Sequence, residues 1–184
     1  MTVLTAANQL TLLRLLLVPV FAIFMLYGLP GWALVTFAVA TVTDALDGII
    51  ARHTQPTTLG AWLDPMADKF LLTTMFVTLS IPGVALVQRI PLWLTVLVLS
   101  RDVAIVLTVA IVNLAVAKRT FRPSLLGKAT TATYMVTGVV MLYANYIGEP
   151  LRIGTWLIFA SLALTLLSAL EYTLRIYRRT GQEN

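Results

Sequence analysis

Apolar residues are concentrated in six long segments, separated by short stretches that contain glycine, proline or charged residues. The segments lie roughly at 10–28, 31–52, 60–81, 90–114, 127–147 and 152–174. Each is long enough to cross about 30 Å of hydrocarbon as an α-helix. Turn-forming residues separate the first two segments at 28–31 and end the third at 82–83. The pattern predicts an all-α integral membrane protein with six transmembrane helices, forming a single domain over residues 1–184.

Composition supports the same prediction. Of the 184 residues, 59% are hydrophobic and 11% are charged, and the mean hydropathy is +0.89. A soluble domain of this size could not bury so much apolar surface in one core. The chain has no cysteine, which excludes disulfides and thiolate metal sites. No basic region precedes the first segment, so we expect the N-terminus to be retained rather than cleaved as a signal peptide.

Basic residues near the segment ends predict the orientation in the bilayer. Two of them, Arg89 and Arg152, fall near one side of the membrane. The larger group falls on the other side and consists of Arg52, Lys118, Arg119, Arg122, Lys128, Arg175, Arg178 and Arg179. By the positive-inside rule both termini are cytoplasmic. The net charge of +5 fits this topological role and contact with anionic lipid, so we expect no nucleic-acid partner.

Four of the eight acidic residues, Asp44, Asp47, Asp64 and Asp68, fall in one 25-residue stretch at the cytoplasmic ends of the second and third segments. A carboxylate at membrane depth costs about 2.5–3.5 kcal/mol on insertion scales, which makes such residues functional candidates. The members of each pair are three or four residues apart and share a helix face. The short loop 53–59 brings both pairs to a common depth. Hard cations such as Mg²⁺ take oxygen ligands, so the pattern predicts a site for two divalent ions that bind a phosphoryl substrate.

Small residues lie between these acids, at Gly48, Ala51 and Gly60. On their own they favour close helix packing. Together with the four acids, they favour a pocket with room for a nucleotide and its diphosphate. Pro65 is expected either in the first turn of the third helix or at a kink, and Asn8 is expected to cap the first helix.

The whole stretch resembles the signature of the CDP-alcohol phosphatidyltransferases, which reads here Asp44-x-x-Asp47-Gly48-x-x-Ala51-Arg52, a spacer, then Gly60-x-x-x-Asp64-x-x-x-Asp68. Every fixed residue is present. Seven residues separate Arg52 from Gly60, where eight or nine are expected. We expect the shorter loop to be tolerated, with Arg52 the residue whose contact with substrate it would affect. Six spans with cytoplasmic termini also agree with this family.

The resemblance implies a reaction. CDP-diacylglycerol would bind with its diphosphate on two Mg²⁺ or Mn²⁺ ions, an acceptor hydroxyl would attack the β-phosphorus, and CMP would leave. The implied metal ligands are Asp44, Asp47 and Asp64, with Asp68 as a further ligand or the general base. The implied CMP pocket is lined by Gly48, Ala51 and Gly60, and Arg52 would neutralise phosphate. The resemblance also implies a homodimer, and we expect it in the bacterial inner (cytoplasmic) membrane with its active site facing the cytoplasm.

Two motifs resemble the branch of the family that uses glycerol-type acceptors, namely Asn8-x-Leu10-Thr11-x-x-Arg14 and Leu63-Asp64-Pro65-x-Ala67-Asp68-Lys69. That branch comprises the phosphatidylglycerophosphate synthases and the CMP-forming cardiolipin synthases. A third motif, Ser100-Arg101-Asp102-Val103, is closer to the cardiolipin synthases. We favour glycerol 3-phosphate as the acceptor and keep phosphatidylglycerol as the alternative.

Either acceptor carries a phosphate, and Arg101 and Lys128 are the residues expected to bind it. Arg101 lies well inside the fourth segment, where a charge requires a partner or a function, and a guanidinium can contact phosphate with two hydrogen bonds. The structural alternative is that Arg101 pairs with Asp102, and that Lys128 is an ordinary basic residue at a span end.

Two other protein classes also use clustered carboxylates in membranes. Intramembrane prenyltransferases hold a diphosphate through aspartate motifs and Mg²⁺, but they are longer and lack the Gly-x-x-Ala-Arg element. A divalent-cation transporter would use the four acids as its ion site, which leaves Gly48, Ala51, Arg52 and Gly60 without a role. The sequence therefore favours the phosphatidyltransferase.

Overall fold

The computed structural model describes the backbone of residues 6–51, 60–115 and 124–180, and the side chains of residues 9–44, 66–107 and 124–174. Within these residues the chain forms helices and no strand. The helices are α1 (Ala6–Leu26), α2 (Pro30–Ala51), α3 (Gly60–Ser80), α4 (Leu92–Ala115), α5 (Leu125–Ile147) and α6 (Arg152–Thr180). Each predicted apolar segment corresponds to one helix, which confirms the all-α prediction.

The helices are built for an apolar surrounding. Among the described residues, three stretches are long and apolar enough to span a membrane, namely Gln9–Leu26, Leu125–Ile147 and Arg152–Leu174. In α2, α3 and α4 the described side chains cover only part of each helix. All six helices carry exposed large apolar side chains, such as Leu16 in α1 and Leu107 in α4. Exposed large apolar side chains on every helix are typical of a protein surrounded by lipid, and the chain is a membrane protein.

The described residues divide into two compact units, of which the first comprises Met1–Ile90 and Gly138–Leu151. In this unit α1 packs against both α2 and α3. Phe21 of α1 and Phe37 of α2 are fully buried, with ring centroids 5.8 Å apart. Met75 and Phe76 of α3 are also fully buried. The aspartate motif lies on α2 and α3, which both pack against α1 in this unit.

Glycine ends two helices in this unit. Gly28 follows α1 with φ of +69°, and Gly148 follows α5 with φ of +74°. After α1, the Leu29 N–H donates to the carbonyl of Phe24 and the Gly28 N–H to that of Met25. These two bonds form a Schellman motif, which requires a left-handed residue that glycine adopts without steric cost.

A buried asparagine joins the connection between α3 and α4 to the end of α5. The Asn145 carbonyl oxygen accepts hydrogen bonds from the N–H groups of Val87 and Gln88, at 2.7 and 3.1 Å. Its amide donates to the carbonyls of Gln88 and Met141, at 2.8 and 2.7 Å. The Gln88 side chain in turn exchanges two hydrogen bonds with the backbone of Leu151. The loop is therefore fixed to the end of α5 through its own backbone polar groups.

The second unit comprises Pro91–Thr137 and Arg152–Asn184 as far as they are described. Helix α4 packs against α6. Helix α5 contacts α6 through side-chain hydroxyls, including the pairs Tyr134–Thr165 and Thr137–Ser161. Interhelical hydroxyl pairs are a common way of joining helices in lipid, where apolar burial gives little driving force.

Two local predictions at helix starts are wrong. Asn8 is the third residue of α1, which begins at Ala6, so Asn8 is inside the helix and does not cap it. Pro65 is the sixth residue of α3, which begins at Gly60, so the first-turn alternative fails. Both helices start earlier than the turn-forming residues indicated, because helix ends depend on packing as well as on local propensity.

Candidate active site

The backbone places all four motif aspartates on two consecutive helices. Asp44 and Asp47 lie toward the end of α2, and Asp64 and Asp68 lie near the start of α3. Each pair therefore has the helical spacing that puts its members on one face. The side chains of Asp47 and Asp64 lie outside the described residues, so a site shared by all four stays a prediction.

The small residues of the motif also lie in helices. Gly48 and Ala51 are in the last turn of α2, and Gly60 is the first residue of α3. The structure describes only the backbone of these three residues, and all of Arg52 falls outside the described residues. The pocket predicted for the nucleotide is therefore not tested by the structure.

Asp44 makes an ion pair that the sequence reasoning did not anticipate. Its Oδ1 lies 2.7 Å from NH1 of Arg14, which belongs to α1. The Arg14 side chain is fully buried, whereas that of Asp44 is 35% exposed. Because a buried guanidinium is costly without a counter-charge, this contact neutralises Arg14 and at the same time holds one oxygen of Asp44. The sequence gives Arg14 no role beyond its place in a motif resemblance, although an arginine in the middle of an apolar segment is itself a signal.

Asp68 occupies a different environment on α3. It is half-buried, and its Oδ1 is shielded from solvent. Among the side chains that the structure describes, no three potential metal ligands cluster. Only Asp44 and Asp68 of the four acids have described side chains. Both provide the hard oxygen donors that Mg²⁺ or Mn²⁺ prefers, so the donor chemistry at this end of α2 and α3 fits the expected ions.

Arg101 lies in the second unit, inside α4, and three groups surround its guanidinium. NH1 donates to Oδ1 of Asp102 at 2.7 Å, and NH2 donates to the hydroxyl of Ser168 on α6. A methyl group built on Gly127 would lie 3.8 Å from NH2, so the guanidinium lies beside the first turn of α5. The side chain is 13% exposed. Arg101 therefore pairs with Asp102, as the structural alternative predicts. Its guanidinium nevertheless lies beside the first turn of α5.

The first turn of α5 is organised by Ser124. The hydroxyl of Ser124 accepts a hydrogen bond from the Gly127 N–H at 2.9 Å, and its carbonyl accepts one from the Lys128 N–H at 3.1 Å. The Lys128 side chain is exposed on this turn. The structure therefore brings Arg101 to the turn that carries Lys128, and helix N-termini favour anions. Whether these residues bind an acceptor phosphate stays a prediction.

The known proteins that this chain resembles include phosphatidylglycerophosphate synthases and CMP-forming cardiolipin synthases. The chain is 34% identical over 185 residues to a Mycobacterium tuberculosis protein named probable phosphatidylglycerophosphate synthase, covering 95% of this chain and 83% of that protein. It is 34% identical over 153 residues to a CMP-forming cardiolipin synthase of Streptomyces coelicolor, covering 78% of this chain and 67% of the relative. The human CMP-forming cardiolipin synthase is 32% identical over 157 residues, covering 76% of this chain and 50% of its own length.

The family model described as CDP-alcohol phosphatidyltransferase matches residues 4–167. This match spans α1 to most of α6 and includes every residue of the aspartate motif. It confirms the resemblance that the motif indicated. The chain belongs to the CDP-alcohol phosphatidyltransferase family of enzymes.

Proposed function

We propose that this enzyme transfers the phosphatidyl group of CDP-diacylglycerol to glycerol 3-phosphate and releases CMP. The observation that carries the proposal is the aspartate motif on the adjoining ends of α2 and α3, within a chain that belongs to this family. The acceptor is proposed from the relative named phosphatidylglycerophosphate synthase, whose alignment covers 95% of the chain.

The residues proposed to hold two Mg²⁺ or Mn²⁺ ions are Asp44, Asp47, Asp64 and Asp68. When bound, such ions would polarise the phosphoryl oxygens and stabilise the charge that develops on CMP. Asp68 is proposed also to take the proton from the acceptor hydroxyl, which its half-buried position favours by limiting competition from water.

The nucleotide is proposed to bind against Gly48, Ala51 and Gly60, where the absence of large side chains leaves room for a flat base and a diphosphate. Arg52 is proposed to neutralise one phosphate. These assignments are supported by the match of the motif to the family, since the residues carry no described side-chain contacts.

The acceptor phosphate is proposed to bind at the start of α5. Arg101 and Lys128 would provide two positive charges there, and the partial positive charge of the helix N-terminus would add to them. The position of the Arg101 guanidinium beside the Gly127 turn supports this assignment. Gly127 itself leaves space beside NH2 that a larger side chain would fill.

The second candidate acceptor is phosphatidylglycerol, which would make the enzyme a CMP-forming cardiolipin synthase. Two observations favour it, the Ser100-Arg101-Asp102-Val103 motif and the relatives of that name at 32–34% identity. The alignment to them covers less of this chain than the alignment to the phosphatidylglycerophosphate synthase, which is why glycerol 3-phosphate is placed first.

The proposed setting is the bacterial inner membrane, with six spans, both termini and the active site on the cytoplasmic side, a single domain and a homodimeric assembly. Exposed tryptophans support the alternation of spans, since Trp32, Trp93 and Trp156 each lie near the start of an even-numbered helix. Tryptophan is enriched at the membrane–water interface, so these three residues would mark one interface.

The test is to incubate the purified enzyme with CDP-diacylglycerol and Mg²⁺, offer each acceptor separately, and identify the lipid products by mass spectrometry. We expect phosphatidylglycerophosphate and stoichiometric CMP with glycerol 3-phosphate, and no product when a chelator replaces the metal. Cardiolipin from phosphatidylglycerol would establish the second candidate instead. Metal flux into liposomes without any lipid product would support the cation transporter and contradict the proposal.

A further inference from the structure

Six buried hydroxyl groups line the contact between α5 and α6. They lie at matching helical spacing, with Thr130, Tyr134 and Thr137 on α5 and Ser161, Thr165 and Ser168 on α6. Each is at most 3% exposed. We call this set the hydroxyl seam. Because residues four and then three apart share a helix face, each helix presents its three hydroxyls on one face.

Most of the seam is satisfied within α5 and α6. Thr137 and Ser161 are 3.1 Å apart, and the Tyr134 hydroxyl is bonded to that of Thr165. Thr130 donates to the carbonyl of Leu126 in its own helix, at 2.7 Å. These contacts need no group from outside the two helices, so they account for the packing of α5 on α6.

Ser168 differs from the other members, because its described partner lies on a third helix. Its hydroxyl accepts the hydrogen bond from NH2 of Arg101 on α4. The other described partner of the guanidinium is Asp102, at NH1, and this is the next residue in the chain. Asp102 moves with Arg101, whereas Ser168 belongs to a helix that the seam ties to α5. The hydrogen bond to Ser168 is therefore the described contact that fixes the position of the guanidinium relative to α6.

An arginine needs such a contact if it is to recognise a phosphate. A free arginine side chain loses rotamer entropy when it is fixed, and its planar donors bind phosphate well only in a defined orientation. In the structure, NH2 donates to the Ser168 hydroxyl and lies beside the first turn of α5, where a methyl group built on Gly127 would be 3.8 Å away. The guanidinium is thus already oriented toward the turn that carries Lys128.

We infer that Ser168 is a positioning residue for acceptor binding, whose hydroxyl holds the Arg101 guanidinium in the orientation that binds the acceptor's phosphate. The inference rests on the proposed function, in which Arg101 contacts that phosphate. It adds a role for a buried serine that lies outside the aspartate motif, on the last helix of the chain. A serine that only packed α6 on α5 would affect stability and leave substrate recognition unchanged.

The test is a kinetic comparison of Ser168→Ala with Ser161→Ala. Loss of one hydrogen bond to a charged group changes a binding constant by about tenfold, so Ser168→Ala should raise KM for glycerol 3-phosphate by about that factor. KM for CDP-diacylglycerol and kcat should stay near their wild-type values. Ser168→Thr, which keeps the hydroxyl, should restore KM.

Ser161→Ala is the matched control. It removes the same group from the same face of α6, two turns earlier, where the partner is Thr137 and not Arg101. It should leave both KM values unchanged. Equal changes in KM for glycerol 3-phosphate in the two alanine variants would overturn the inference, as would a Ser168→Ala variant with wild-type KM. If Ser168→Ala does not accumulate in membranes, Ser168→Cys tests the same point, with a smaller rise in KM expected from its weaker acceptor.

The variant Arg101→Gln tests the proposed acceptor site separately from the positioning role of Ser168. If Arg101→Gln leaves KM for glycerol 3-phosphate unchanged, the proposed acceptor site fails, whatever Ser168 does. If Arg101→Gln raises KM strongly and Ser168→Ala does not, the acceptor site stands and only the positioning role of Ser168 is wrong.

Discussion

Arg14 shows how one residue can influence a predicted metal site without being a ligand. It is fully buried in α1, and its NH1 lies 2.7 Å from the carboxylate of Asp44. The carboxylate retains 35% exposure, so it can meet a second positive partner. The ion pair thus stabilises α1 against α2 and limits the rotamers of a proposed metal ligand.

Removing Asp44 should be the costlier change, because it takes a counter-charge from a fully buried guanidinium. We expect Asp44→Asn to lower the free energy of unfolding by about 3 kcal/mol, measured by denaturation in detergent without added metal. Arg14→Gln should lower it by less, because the carboxylate that it leaves is 35% exposed. The double variant should lose much less unfolding free energy than the two single variants lose together, since neither charge remains. Arg89→Gln is the control, because the described partner of Arg89 is the carbonyl of Val84. Its effect on unfolding free energy should add to that of Asp44→Asn. Additivity between Arg14→Gln and Asp44→Asn would contradict the coupling.

Asp68 is the residue on which the proposed proton transfer depends. Asp68→Asn should lower kcat by about 10²–10⁴-fold, the range that a general base contributes, while CDP-diacylglycerol still raises the thermal stability of the variant. Initial rates and melting curves with and without this substrate measure the two effects. Glu149→Gln, at an exposed acid in the turn after α5, is the control and should be fully active. Full turnover in Asp68→Asn would rule out its role as the base.

At the scale of elements, polar side chains and glycines determine where helices end and how loops attach. Asn145 satisfies two backbone N–H groups and one carbonyl of the 81–91 connection at once. Gly28 ends α1 so that α2 can begin at Pro30. In both places a single residue fixes a connection, the one that follows α3 in the first case and the one between α1 and α2 in the second.

Asn145→Ala should destabilise the protein by about 1–2 kcal/mol, because it leaves the part-buried N–H groups of Val87 and Gln88 without their acceptor. Chemical denaturation in detergent would measure the loss. The adjacent substitution Tyr146→Phe keeps the ring that lies over Gly31 and removes only an exposed hydroxyl, so it should be neutral. Equal stability of Asn145→Ala and Tyr146→Phe would show that the loop attachment contributes little.

Gly28→Ala should cost about 1–2 kcal/mol for backbone reasons alone. Gly28 has a φ of +69° and no atom within 4 Å of an added methyl group, so the cost comes from the left-handed conformation and not from a clash. Gly83 is equally open, but its φ is not in the left-handed region. Gly83→Ala should therefore be neutral or slightly stabilising. Thermal melting of the two variants in parallel would test this, and an equal effect of both would contradict the assignment to φ.

At the scale of the whole molecule, the membrane topology is the feature that connects the fold to the supply of substrate. The charge distribution predicts that the loop 53–59 lies in the cytoplasm and that the turn at 148–151 lies on the opposite side. This arrangement would place the aspartate motif where nucleotide-linked lipid is made and where CMP can leave.

The chain has no cysteine, so single-cysteine labelling can test this topology directly. We expect a membrane-impermeant maleimide to label Thr57→Cys in inverted vesicles and Glu149→Cys in right-side-out vesicles. Permeabilised vesicles should label both, which controls for reactivity. Labelling of both variants from the same side would exclude an odd number of spans between the two positions and contradict the six-span arrangement.

The sequence alone determined the six helices, their approximate ends, the spacing of the four aspartates and the family. These features are local, because apolar runs, turn residues and motif spacing act over a few residues of neighbouring chain. Only the tertiary structure decided which polar groups meet: Arg14 with Asp44, Asn145 with Val87 and Gln88, and Ser168 with Arg101. The last two of these pairings join residues 57 to 67 positions apart. Such partners depend on how helices rotate and pack against one another, and helical periodicity within one segment does not specify which segment it will face.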